Sequence, residues 1–395
     1  MNPTDLWPAL VAAGLALMTS QSVAGRWPLH TDGARHRSID GLRGYLALGV
    51  FLHHATVWQG YRSTGVWASS DSAFYTNAGK GSVALFFMIT AFLFYGRLLE
   101  ARERPIDWTR LFLGRWFRLT PAYLVMLALL LVMVGVQTGG QWRVSGADLL
   151  RQIGDWLLFT IPGPSDINGL RGTQMMVAGV TWSLPYEWML YAALPLLALL
   201  AGRRPSPGAL GVTAVSCIAF VCWRPSLGNL VPFAVGMLAA YAARWPRLQR
   251  GSGSRYGSVA VLLSLIGGFA LDMRALSPLP QAFQALAFVL IAAGNDLFGV
   301  LSAKLSRTFG EPTYSLYLLH GVVLFIGFRW VIGPAAAGLS SSQHWVAIWL
   351  MTPVAVALSH LCHRFVEMPG MALTDRCLRR WRGTAASPAG AVPGG

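Results

Sequence analysis

The stretch Arg37–Trp58 reads RSIDGLRGYLALGVFLHHATVW, and the polar residues Arg37, Asp40 and Arg43 lead straight into an apolar segment that carries His53 and His54. Arg43 and His54 lie eleven positions apart. In an α-helix that is about three turns, so the two share nearly one face, with His54 about 16 Å deeper than Arg43. His53 is turned about 80° away from that face. A guanidinium at a helix mouth and an imidazole far inside, on one side, suggest a path with charged chemistry at one end. The competing reading is an anchoring arginine plus a histidine satisfied by neighbouring helices. Ionisable groups within membrane helices are rare and usually functional, which keeps the first reading open.

Composition sets the class. Hydrophobic residues make up 54% of the 395 and charged residues only 12%, about half the charged share of soluble globular chains. The apolar residues fall into about ten runs of membrane-spanning length: 42–58, 81–99, 118–136, 182–201, 208–223, 227–243, 257–272, 280–293, 312–332 and 345–364. These predict an all-α, polytopic helical membrane protein with about ten transmembrane helices embedded in a lipid bilayer. The net charge of +15 does not imply nucleic acid, because the basic residues sit between the runs. The cysteines Cys217, Cys222, Cys362 and Cys377 show no metal-ligand spacing and no disulfide framework, so no metal site is expected.

Charge also sets the expected topology. The apolar pieces Leu6–Met18 and Leu149–Ile161 are short; the first is expected to be interfacial or half-inserted, and the second is expected not to cross. Ten spans then put the arginine-rich segments around Arg35, Arg104, Arg247, Arg307 and Arg379 on one face, which the positive-inside rule makes cytoplasmic together with both termini. The expected organisation is a cytoplasmic or interfacial segment over 1–36, a membrane domain over 37–370, and a disordered cytoplasmic tail over 371–395. No internal repeat of the kind found in transporters built from duplicated halves is visible.

Ile39-Asp40-Gly41-Leu42-Arg43-Gly44, followed by His54-Ala55, resembles the opening motif of acyltransferase family 3, the integral-membrane O-acyltransferases. Five later motifs follow in order. Ser82-Val83-Ala84 and Phe86-Phe87 stand near the family's Gly-Val-Asp and paired Phe, without the Asp. Arg115 and Arg118 match its Arg-x-x-Arg, and Trp182-Ser183-Leu184-Pro185-Tyr186-Glu187 resembles its Trp-Ser-Leu-x-x-Glu. Thr313-Tyr314-Ser315-Leu316-Tyr317 with His320 resembles a Ser-Tyr-Ser-x-Tyr-x-x-His signature, and Glu367-Met368-Pro369 its ending. The resemblance covers about residues 37–370.

The resemblance implies transfer of an acyl group, acetyl first, from a cytoplasmic acyl-coenzyme A to a hydroxyl of a carbohydrate, with acetyl-CoA as donor substrate and no permanently bound cofactor. It makes Arg43 and His54, not His53, the paired residues, with His54 a catalytic base or an acyl carrier. Arg115 and Arg118, with Arg43, are expected to hold the CoA phosphates, because guanidinium forks suit oxyanions. Similar depth argues for Glu187 pairing with His54, and Asp40 is expected to steady the mouth. Tyr317 and His320 are expected along the CoA arm, His320 alternatively bonding a neighbouring helix. Trp182, Ser183 and Tyr186 are expected to line the substrate pocket. His363 and Glu367 read as packing residues. The expected acceptor is a surface or exported polysaccharide, with a small secondary metabolite second, and the expected location is a bacterial inner membrane. A flippase or transporter of lipid-linked sugars is the rival class.

Overall fold

Helix α2 (Arg37–Thr64) forms the centre of the molecule, buried on nearly every side and ended by Gly65 in the left-handed conformation. The computed structural model describes residues 5–28, 36–100, 106–202, 205–222, 226–271 and 277–385. Its helices are α1 (Trp7–Ala24), α2, α3 (Ala73–Glu100), α4 (Trp108–Gln137), α5 (Gly146–Leu157), α6 (Leu184–Leu200), α7 (Pro207–Cys222) and α8 (Leu227–Ala242). They continue with α9 (Pro246–Ser252), α10 (Arg255–Ala270), α11 (Pro278–Ala292), α12 (Lys304–Gly310), α13 (Thr313–Ile326), α14 (Ser341–Cys362) and α15 (Met368–Ala385). No strand occurs among the described residues, so the all-helical expectation stands.

The expected ten spans resolve differently. Among the described residues six helical segments are long and apolar enough to cross a membrane: Trp7–Ala24, Ala73–Glu100, Trp108–Gln137, Val180–Leu200, Thr313–Val331 and Ser341–Arg380. Four further apolar helices are shorter, Pro207–Phe220, Gly228–Ala242, Arg255–Ala270 and Pro278–Ala292. Helix α2 is 28 residues long yet falls outside the six, because its charged and imidazole side chains lower its hydropathy. It has no need of a lipid-facing side, since α3, α12 and α13 pack around it. Helix α5, at 12 residues, is about 18 Å long and too short to cross.

Three expectations about the ends of the chain change. The N-terminal apolar run is extended into an 18-residue helix of spanning length, whose Ala9, Ala12, Ala16 and Ser20 are buried where α1 packs on α14. Its start lies beside the start of α3, where Tyr75 donates to the Asp5 carbonyl at 2.7 Å. Its end lies at the end of α14, where Ser20 Oγ and His360 Nε2 are 2.9 Å apart. Asp5 and α15 therefore sit at opposite ends of the bundle, where sequence alone put both termini on one side. Residues 371–385, expected as the beginning of a disordered tail, continue α15. They are held by Thr374 and Leu378, both buried, and by an ion pair of Arg110 with Asp375 at 2.9 Å. The rest of the expected tail lies outside the described residues.

Two packing details position the site. Gly310 ends α12 directly over α2, so that a Cβ there would sit 1.8 Å from the Asp40 carbonyl oxygen; only a hydrogen fits. The segment 138–183 does not stay outside the bundle. Trp156 is fully buried, its carbonyl accepts from Tyr123 at 2.6 Å, and Phe159 packs on Tyr123 and Trp188 at centroid distances of 4.5 and 5.1 Å. Two 3₁₀ turns, Thr173–Val177 and Val180–Ser183, then carry the chain through the interior. Left-handed Gly172, Ala178 and Gly179 reverse its direction, so α6 begins inside the protein.

Candidate active site

Arg43 leaves the inner part of α2 on the side that His54 also takes. Both are partly accessible, whereas His53 is buried, as the helical phase predicts. His53 packs so closely on α3 that a Cβ on Gly79 would lie 2.3 Å from its ring. Its Nδ1 makes no hydrogen bond among the described residues.

A cavity of about 360 Å³ is lined by Asp40, Arg43, Arg97, Arg115, Arg118 and Glu187 among other residues. A second lobe of about 420 Å³ shares Arg97, Arg115 and Arg118 with it and adds Arg110 and Asp107. Arg115 and Arg118, three positions apart on α4, both face this space. The Arg115 guanidinium lies 4.9 Å from the Phe94 ring centroid and 5.9 Å from that of Tyr191, a stacked arrangement that leaves its edge for a ligand. Arg118 Nη1 donates to the Met371 sulfur at 3.1 Å. Asp40 lines the wall beside Arg43. Farther in, the walls become apolar with Val83, Phe86, Phe87, Ile89 and Leu93.

The cavity ends at a polar seam. Tyr317 and Ser183 line its inner end, with their hydroxyl oxygens 2.8 Å apart, and Tyr317 also donates to the Val180 carbonyl at 2.9 Å. His320 follows Tyr317 on α13 by three residues, about 4.5 Å of helix rise. His320 Nε2 lies 3.0 Å from His54 Nδ1. Neither histidine lines the cavity.

The histidine pair has a fixed proton arrangement. A carbonyl oxygen can only accept, so His54 Nδ1 carries a proton donated to the Val50 carbonyl at 3.0 Å. His320 Nδ1 likewise donates to the Leu316 carbonyl at 3.0 Å. With His320 Nδ1 protonated, the Nε2 of its neutral ring is an acceptor, and His54 Nδ1–H is shared between Val50 O and that nitrogen. The basic lone pair of His54 is therefore on Nε2, which has no hydrogen-bond partner among the described residues. Trp67 stacks over the ring at a centroid distance of 6.4 Å.

Several expectations are revised. Glu187 does not meet His54: it accepts a hydrogen bond from Tyr191 and lines the arginine cavity on the other side of the seam. The buried start of α6 explains this, because the motif enters from inside the bundle rather than from its outer surface. His320 does not line the cavity; it holds His54. Of the three expected pocket residues only Ser183 lines the cavity. Trp182 is 41% exposed, and Tyr186 sits behind the wall residue Phe87 at 5.9 Å, packs on Phe220 at 5.6 Å and accepts from the Ser226 amide at 3.1 Å. Two contributors were read differently from sequence. Arg97, not singled out in the sequence, lines both lobes, and His363, taken as packing, lines the first. The i, i+4 spacing of His363 and Glu367 was their visible signal. Among the described residues no group of His, Cys, Asp and Glu could hold a metal.

Nodulation protein 10 of Rhizobium leguminosarum bv. viciae is 26% identical over 383 residues, covering 89% of this chain and 97% of that protein. No solved structure matches. The family model described as an acyltransferase domain matches residues 36–364, which hold the arginine cavity, the seam and the histidine pair, and the chain belongs to acyltransferase family 3.

Proposed function

We propose that the protein is an integral-membrane O-acyltransferase that moves an acyl group, acetyl first, from acyl-coenzyme A to a hydroxyl of an exported or surface glycan. The observation that carries this reading is the alignment of one arginine-lined cavity with a histidine pair three residues of α13 beyond its closed end. Arg115, Arg118, Arg97 and Arg43 hold the donor's phosphates, for which forked guanidinium donors suit the oxyanions. The pantetheine arm follows the apolar wall of Phe86, Phe87 and Leu93 and brings the thioester to the seam.

Parting of the Tyr317–Ser183 seam lets the thioester reach His54. Nε2 of His54 takes the proton of the acceptor hydroxyl as its oxygen attacks the thioester carbonyl. The C–S bond breaks, and the proton passes to the departing sulfur, giving an ester and free coenzyme A. His320 accepts from His54 Nδ1–H throughout, and so stabilises the ring while it is positively charged.

The arginine-rich end is the cytoplasmic end of a bacterial inner membrane by the positive-inside rule, with α15 on that side and Asp5 on the other. His54 lies about 16 Å beyond Arg43 along α2, more than half of a hydrocarbon core about 30 Å thick. The acyl group thus crosses the bilayer while coenzyme A stays inside. Sealed vesicles of known orientation, with radiolabelled acetyl-CoA on one side and glycan on the other, test this. Label should reach the acceptor only when donor faces the arginine-rich end. Transfer that requires both in one compartment refutes the crossing.

A further inference from the structure

Beyond the arginines, the wall of the cavity holds a histidine, on the last long helical segment. His363 is 6% exposed and lines the cavity beside Arg118. Its Nδ1 lies 3.0 Å from Glu367 Oε2, and the other carboxylate oxygen accepts from Ser315. Glu367 is fully buried, with both oxygens engaged. His363 Nε2 makes no hydrogen bond among the described residues. The chain here makes a π turn over His363–Glu367, with the Met368 amide donating to the His363 carbonyl. Such turns are rare and concentrate at functional sites.

A buried carboxylate spent on one face of an imidazole, with the other face unpartnered in a basic cavity, is an arrangement for holding an anion. We propose that His363 completes the phosphate site of the donor: its Nε2–H donates to a phosphate oxygen beside Arg115 and Arg118. Glu367 is the positioning residue. It orients the ring through Nδ1–H and balances its charge when both nitrogens carry protons, and Ser315 holds the carboxylate in turn. The inference rests on the acyl-CoA reading above.

The test uses the full chain in detergent, with acyl-CoA turnover and binding of adenosine 3′,5′-bisphosphate, a probe that carries phosphates without a thioester. Loss of a charge-assisted contact should raise the KM for acyl-CoA and the Kd of the probe about ten-fold in His363→Ala, with kcat unchanged. His363→Gln, whose amide nitrogen can occupy the Nε2 position, should recover part of the loss. Glu367→Gln should weaken the probe less than His363→Ala, because a neutral acceptor remains. Unchanged KM and Kd in His363→Ala and His363→Gln, with both raised in Arg115→Ala and Arg118→Ala, overturns the inference and leaves the donor reading standing. If His363→Ala fails to fold, unaltered probe binding in His363→Gln and Glu367→Gln alike overturns it. Wild-type protein that neither binds the probe nor releases coenzyme A from acyl-CoA removes the donor reading itself.

Discussion

Replacing His320 by alanine removes one of two acceptors for a single proton. His54 Nδ1 lies 3.0 Å from both the Val50 carbonyl oxygen and His320 Nε2. In His320→Ala the carbonyl still fixes the proton on Nδ1, so Nε2 remains the basic atom and the reaction survives. What disappears is the nitrogen that faces Nδ1–H while the ring is an imidazolium. A hydrogen bond to a charged group contributes about 1.5–3 kcal/mol, so kcat should fall between about 10- and 150-fold. The remaining bond to Val50 places the result toward the lower end. The KM for acyl-CoA should stay as it was, because His320 does not line the donor cavity. His320→Gln, with an amide oxygen able to accept, should recover part of kcat. The assay is release of coenzyme A thiol by purified protein in detergent, across donor concentrations, with size-exclusion profiles matching wild type. A raised KM with intact kcat would make His320 a contact of the coenzyme A arm and refute the pairing argument.

His54→Ala should abolish transfer while His53→Ala retains most of it, measured in the same assay; the reverse pattern would place the wrong histidine in the reaction. Arg115→Ala and Arg118→Ala should each raise the donor KM roughly ten-fold or more. Lysine should rescue only partly, because it can neither fork nor stack on Phe94 as the 4.9 Å guanidinium does. Gly310→Ala should destabilise the protein by about 1–3 kcal/mol, read as a lowered Tm in detergent, since its Cβ would collide with the Asp40 carbonyl.

What could be read in advance was what lies along single helices. Arg43 and His54, like Arg115 and Arg118, relate through one helical period, and the structure places each pair on the expected side. The apolar runs were legible for the same reason. The partner of Glu187 was not, because its depth depends on the path of 138–183. That path turns on backbone reversals at Gly172, Ala178 and Gly179, which no hydropathy pattern encodes. The His54–His320 contact joins residues 266 positions apart, and spacing is silent on which helices become neighbours. Helix α1 was underestimated because its polar residues Thr19, Ser20 and Ser22 interrupt the apolar run. Two of them bond back to their own helix, to the Leu15 and Met18 carbonyls, and the third to His360.

The Tyr317–Ser183 seam has a meaning for the membrane as a whole. A transmembrane potential acts on every mobile charge with about 2.3 kcal/mol per 100 mV, so an open bore lined with arginine and histidine would short-circuit the gradient that the cell maintains. At the seam, hydroxyl meets hydroxyl at 2.8 Å and the Val180 carbonyl takes up the tyrosine proton at 2.9 Å. Phe86 packs alongside Tyr317 at a ring distance of 6.3 Å, adding an apolar ring to the layer. In the proposed reading these contacts are the barrier between the arginine cavity and the histidine pair. In the proposed cycle the barrier parts only for a donor whose own arm fills the space it opens, so the substrate serves as the stopper and catalysis proceeds without leakage.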